Sequence, residues 1–103
     1  LTIISEVSTK FQHSEFDLVK SLSKRLKLES HVEFLTNIHP NEMSLYYKDH
    51  DIFILASYNE PASVSLVEAM RSGCVPVISL QNGSNCYFVD SLDGFSFSFF
   101  DAT

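Results

Sequence analysis

The chain has 103 residues, 45% of them hydrophobic and 19% charged, which is one domain at most with a modest core. A formal net charge of -6 with only seven scattered Lys and Arg residues argues against a nucleic-acid surface, which needs clustered cations to neutralise phosphates. Cys74 and Cys86 stand in no C-x-x-C or His-flanked metal spacing, so they read as reduced thiols of a cytosolic protein, and the sequence shows no signal peptide or transmembrane run.

Leu1-Thr2-Ile3-Ile4-Ser5 is a short apolar, β-branched run that reads as a buried strand. The loop after it, Ser5-Glu6-Val7-Ser8, has no glycine and is not expected to cradle a phosphate; Lys10 and His13 read as surface residues of that loop. The spacing predicts a helix over Ser14 to Leu28. Ser14 with Asp17 looks like a capping box, and Phe16, Val19, Leu22 and Leu26 fall on one face. Lys24, Arg25 and Lys27 lie in its last turns, where cations suit the helix dipole; together with Lys20 they read as a solvated face rather than a binding patch. Val32 to Leu35 should be the second strand, with Thr36-Asn37-Ile38-His39 at its carboxyl end and His39 an ordinary loop histidine. Pro40 and Asn41 signal the start of a short helix with Leu45, Tyr46 and Tyr47 as its apolar face.

The unbroken apolar run Ile52 to Ala56 suits a central parallel strand covered on both faces. Ser57-Tyr58-Asn59-Glu60-Pro61 breaks it, and Pro61 biases Glu60 toward an extended conformation at the strand's carboxyl end, the edge where open α/β sheets bind ligands. Ala62 and Ser63 are small, and a helix should begin between Ser63 and Ser65, its N–H groups and positive dipole end offering an anion site. Two readings of Glu68 stay open: Ser65-Leu66-Val67-Glu68 fits a capping box, and the same carboxylate fits a ligand contact. Glu60 likewise reads either as a solvated loop carboxylate or as a ligand contact. Gly73 and Pro76 end the helix, Val75 to Leu80 follows as a strand, and Gly94 to Phe100 alternates aromatic and serine residues like a half-exposed edge strand.

Asn59-Glu60-Pro61-Ala62-Ser63-Val64-Ser65-Leu66-Val67-Glu68-Ala69-Met70, then Gly73 and Val75-Pro76-Val77-Ile78, resembles the donor-binding motif of the GT-B fold glycosyltransferases, specifically the retaining family 4, E-x7-E followed by A-M-x-x-G-x-P-V-I. Val32 to Leu35, Asn82-Gly83, Tyr87, Gly94 and Phe95 are weaker matches on either side, and the likeness runs from about Leu1 to Asp101.

The resemblance implies a Rossmann-like three-layer α/β/α sandwich with a parallel sheet, one half of a GT-B fold. Residues 1–103 would form a partial C-terminal nucleotide-sugar-binding domain, with the N-terminal acceptor domain and the first strand-helix unit outside this sequence. It implies transfer of a sugar, with retention, from a nucleotide-diphosphate donor to a glycan or lipid-linked acceptor, as in bacterial surface polysaccharide synthesis. Glu60 would be the catalytic carboxylate and would hold the sugar hydroxyls. Pro61, Ala62, Ser63 and Val64 would be donor-binding, the N–H groups of the last three holding the diphosphate, and Glu68 would hold the ribose. Thr36 and Asn37 would form a base-binding loop, and Asn82 and Gly83 a crevice loop in which Asn85 to Val89 make a short helical return rather than the hairpin that Asn-Gly signals locally. No metal or cofactor is expected, and no nucleic-acid partner. A cytoplasmic location follows, peripheral to the inner membrane in the full-length protein, though not through contacts of this segment, which alone is expected to be inactive. Thr36 and Ser84 stand where many relatives carry glycine, and a downstream acid is missing. A nucleotide-sugar-binding module without transfer, or a purely structural α/β domain, therefore remain alternatives.

Overall fold

The computed structural model describes residues 1–99. Strand and helix alternate in the order β1 (Thr2–Ser5), α1 (Lys10–Arg25), β2 (Glu33–Thr36), α2 (Pro40–Lys48), β3 (Ile52–Leu55), α3 (Val64–Arg71), β4 (Val75–Ser79), a 3-10 helix (Gly83–Tyr87) and β5 (Phe95–Phe97). Among the described residues every strand pairing is parallel, as expected for a Rossmann-like α/β domain. The described strands form two sheets rather than one, β1-β2 and β3-β4-β5. They lie in two compact units that divide after Pro40.

In the first unit β1 and β2 pair from Thr2↔Glu33 to Ser5↔Thr36. The helix between them starts earlier than the Ser14–Asp17 pattern predicts. Thr9 is the N-cap: its hydroxyl accepts the Gln12 N–H at 3.2 Å, and the Gln12 side chain accepts the N–H groups of Thr9 and Ser8 at 3.0 and 2.8 Å. Glutamine completes a capping box as well as an acid does, so Lys10 and His13 belong to α1 and not to the loop. The inward face also differs from the predicted stripe. Phe16 packs edge-on against Phe34 at 5.7 Å and Ser23 is buried, while Val19, Leu22 and Leu26 stay exposed. At the far end Lys27 takes the left-handed C′ position with φ 57, and Leu28 N–H reaches the Ser23 carbonyl at 2.9 Å, the Schellman pattern.

In the second unit β4 is central and β3 lies at one edge, which corrects the central position predicted for Ile52–Ala56. Phe53 and Leu55 face the core made with Tyr47, Leu66, Ala69, Cys74, Ile78 and Phe88. Ile52 and Ile54 on the opposite face are 57% and 54% exposed. The unbroken apolar run shows only that both faces tolerate burial, and α2 and α3 cover one. Helix α3 ends as its sequence predicts: Gly73 has φ 97, and the N–H groups of Gly73 and Cys74 close on the carbonyls of Met70 and Ala69, both at 3.0 Å. Strand β5 is shorter than the aromatic-serine alternation predicts, and Phe100 lies outside the described residues. Gly94 precedes it where a Cβ would come within 2.6 Å of both Phe88 and Pro76. No described helix is long and apolar enough to cross a membrane.

Candidate functional site

The site grows from the loops that leave the carboxyl ends of β3 and β4. After Leu55 the chain turns at Asn59, whose φ of 58 is a conformation asparagine tolerates better than most residues. Its N–H donates to the Gln81 carbonyl at 3.2 Å. Glu60 follows, half-buried, and its carbonyl accepts the Gly83 N–H at 2.7 Å. Gly83 has to be glycine here, because a Cβ would sit 2.1 Å from the Pro61 carbonyl oxygen. Two residues on, the Ser63 N–H donates to the buried Ser84 hydroxyl at 2.8 Å. The segment 81–84 therefore grips the segment 59–63 at successive points.

Asn82 anchors that grip. It is 3% exposed, and its Oδ1 accepts the Ser84 N–H at 2.8 Å, which caps the 3-10 helix. That bond fixes which end of the amide is oxygen, so Nδ2 points at Glu60, 3.5 Å from Oε2. Asn85 Nδ2 donates to the carbonyls of Ser79 and Asn82 at 2.9 and 2.7 Å. The return after β4 is helical and not a hairpin.

Helix α3 begins at this junction. Ser63 is its N-cap, and its hydroxyl accepts the Leu66 N–H at 3.2 Å and shares a hydrogen bond with Ser65 Oγ at 2.9 Å. With Ser63 as cap the third helical position is Leu66, so the Ser65–Glu68 capping box does not form. Glu68 is the fifth residue of the helix and is exposed. Its charge adds to burial in pushing the Tyr47 phenol above its ordinary value, burial being the larger cause.

The predicted ligand set is rearranged accordingly. Glu60, Pro61, Ala62 and Val64 come together at the loop-to-helix junction, the last three exposed. Ser63 is 4% exposed with its N–H already donated, so it supports the junction from within and has no N–H to offer a ligand. Of the two residues of the expected crevice loop, Asn82 is buried behind the Glu60 loop, while Gly83 is exposed with its backbone packed against Pro61. In the first unit Thr36 ends β2 and Asn37, φ 54, brackets Val7: it accepts the Val7 N–H at 2.8 Å and donates to the Val7 carbonyl at 3.3 Å. The Asn37 side chain is thereby committed to the fold. Ser84 was missed by sequence reasoning, although Asn-x-Ser, with asparagine placed to cap two residues ahead, was the available signal.

Chemically, the junction offers a carboxylate with lone pairs beyond the one facing Asn82, next to a helix start where Val64 and Ser65 N–H groups have no intrahelical partner. A carboxylate accepts strong hydrogen bonds from hydroxyls, and a helix start favours an anion. No group of His, Cys, Asp and Glu among the described residues is arranged to hold a metal ion.

The family described as Glycosyl transferases group 1 matches residues 10–103. The chain belongs to this family. Among its relatives are a GDP-Man:Man(3)GlcNAc(2)-PP-Dol alpha-1,2-mannosyltransferase of Dictyostelium discoideum, 28% identical over 81% of this chain and 16% of the relative. An alpha-monoglucosyldiacylglycerol synthase of Streptococcus pneumoniae is 38% identical over 62% of this chain and 14% of its own length. A mannosylfructose-phosphate synthase of Agrobacterium fabrum is 32% identical over 63% and 14% respectively. This chain thus matches only about one-sixth or less of each relative's length. No solved structure matches it significantly.

Proposed function

We propose that this chain is the nucleotide-sugar-binding part of a retaining, family 4 glycosyltransferase, within the C-terminal half of a two-domain enzyme. The observation that carries the reading is the Glu60 carboxylate, held at the carboxyl end of β3 next to the first turn of α3. In this reading Glu60 accepts hydrogen bonds from the sugar hydroxyls. The Val64 N–H and the N–H of exposed Ala62, next to Pro61, receive the diphosphate, whose charge the helix start stabilises as it leaves. Glu68 takes the ribose hydroxyls. The diphosphate needs no metal ion or cofactor in this scheme.

The acceptor is proposed to be a glycan or a lipid-linked sugar bound by a separate domain. Names of two relatives carry PP-Dol and diacylglycerol, which supports the lipid-linked option. A place in surface polysaccharide synthesis, on the cytoplasmic side of a membrane, would follow. The test is a thermal-shift panel of UDP-glucose, GDP-mannose and their free nucleotides on the full-length protein. One sugar nucleotide should raise the melting temperature by several degrees, and Glu60→Gln should abolish most of its advantage over the free nucleotide. A flat response across the panel would overturn the reading.

A further inference from the structure

Asn82 is too well buried to meet a ligand, yet it is the residue whose amide reaches the Glu60 carboxylate. Its two ends do different work. Oδ1 is taken by the Ser84 N–H at 2.8 Å, so the amide cannot flip without leaving that donor unpaired and turning an oxygen toward a carboxylate. The backbone around it is pinned as well, because its own carbonyl accepts Asn85 Nδ2 at 2.7 Å and the next residue's N–H holds the Glu60 carbonyl at 2.7 Å. Nδ2 is therefore a fixed donor aimed at Oε2, at 3.5 Å. A glutamate on a loop has three rotatable side-chain bonds, and one fixed donor limits which of its rotamers is favoured.

We propose that Asn82 is a positioning residue for donor recognition: it never touches the sugar nucleotide, and it sets the direction in which Glu60 presents its carboxylate to the sugar. The inference rests on the donor-site reading of Glu60. It predicts that the Glu60 loop and the loop after β4 act as one specificity unit, so that changing Asn82 alters preference for the sugar without altering affinity for the nucleotide.

Asn82→Asp is the discriminating substitution. Aspartate caps the 3-10 helix as well as asparagine does, so the cap survives the change. A positioning role does not, because the donor facing Glu60 becomes a second carboxylate. The measurement is calorimetric affinity of the full-length protein for UDP-glucose against UDP and for GDP-mannose against GDP, with melting temperature alongside. Asn82→Ser, which keeps a cap but removes the amide, serves as the second variant. The expected result is that both variants keep nucleotide affinity and lose on the order of tenfold in the sugar-nucleotide preference, the size expected when a charge-assisted hydrogen bond is misplaced; Asn82→Ser should stay near the wild-type melting temperature, whereas Asn82→Asp should lower it, because it buries a second carboxylate beside Glu60. Glu60→Gln should lose the same preference. If Glu60→Gln loses it and both Asn82 variants retain it, the positioning role is overturned and the donor site stands. If Glu60→Gln retains it, or the wild-type protein has no such preference, the donor-site reading falls and this inference with it.

Discussion

The Ser63 N–H donates to the Ser84 hydroxyl at 2.8 Å, with both residues buried, so the cap of α3 is itself held by the loop that follows β4. Ser84→Ala removes the acceptor and leaves a buried N–H without a partner, at a cost of about 1–3 kcal/mol. Urea denaturation should show a lower midpoint with an unchanged slope, since neither end state changes its exposed surface much. A midpoint equal to wild type would mean that the Ser63 N–H finds another acceptor.

Gly83→Ala probes the same stitch by steric means. The added methyl would lie 2.1 Å from the Pro61 carbonyl oxygen, a backbone atom that cannot rotate away. Relief requires the two loops to part, which stretches the 2.7 Å bond from Gly83 N–H to the Glu60 carbonyl. The expected cost is on the order of 1–3 kcal/mol, as for other overpacked sites. Thermal unfolding should register it as a fall of several degrees in melting temperature, and an unchanged value would show that the loops can separate freely.

These two positions also mark where the sequence stops being informative. The span from Val64 through Gly73 to Pro76 was legible because its start and stop chemistry is local: a serine cap, a left-handed glycine and a proline within a few residues. Pro61 likewise marks the loop that carries Glu60, which lies outside helix and strand. The links from Ser84 to Ser63 and from Asn82 to Glu60 join residues 21 and 22 positions apart, and no local pattern encodes them. The start of α1 was missed because Thr9 with Gln12 and Ser14 with Asp17 offer competing caps, and only the structure shows which one the chain uses. The edge position of β3 is not encoded in its apolar run, which reports tolerance of burial and not the number of neighbouring strands.

Lys27 offers a stabilising change. It holds a left-handed φ of 57 at the end of α1, where the Schellman bonds need that conformation and any side chain strains it. Lys27→Gly should relieve the strain, offset in part by the greater freedom of glycine in the unfolded chain. The net gain expected is roughly 0.5 kcal/mol, detectable as a small rise in denaturation midpoint. A loss of stability would show that the lysine side chain contributes more than its backbone strain costs.

Alkaline pH should destabilise the fold from the second unit. Burial pushes the Cys74 thiol above its ordinary 9.0, with help from the Asp51 charge, and burial pushes the Tyr47 phenol above 10.0, with help from Glu68 and then Cys74. Both groups keep their protons to higher pH in the folded chain than in the unfolded one. Unfolding in this range therefore releases protons, and stability must fall as pH rises. The contribution of both groups is complete well below the ordinary thiol value of 9.0, where neither unfolded group has lost its proton, and is lost as pH climbs through the folded values. Unfolding free energies measured from pH 8 to 11 should decline from about 9 upward in wild type, and the Cys74→Ala variant should show a later onset. A profile that rises across this range would contradict the assignment.

Glu68→Gln separates a ligand contact from a structural residue. The helix that carries it is capped by Ser63, and the position a capping box would need is occupied by Leu66, so Glu68 has no part in the cap. The substitution should leave melting temperature near the wild-type value, because the side chain is exposed and glutamine is as good a helix former as glutamate. In the donor-site reading the carboxylate accepts from both ribose hydroxyls, and glutamine turns one acceptor into a donor that mispairs with one of them. The loss is that of a hydrogen bond to a charged group, on the order of 1.5–3 kcal/mol, or about tenfold to a hundredfold in affinity. Because ribose is common to the free nucleotide and the sugar nucleotide, the loss should be equal for both, unlike the Glu60→Gln loss, which touches the sugar alone. Calorimetry of the full-length variant with UDP, UDP-glucose, GDP and GDP-mannose reads this directly. An affinity within twofold of wild type for the bound nucleotide would remove Glu68 from the donor site and leave it an exposed helix residue.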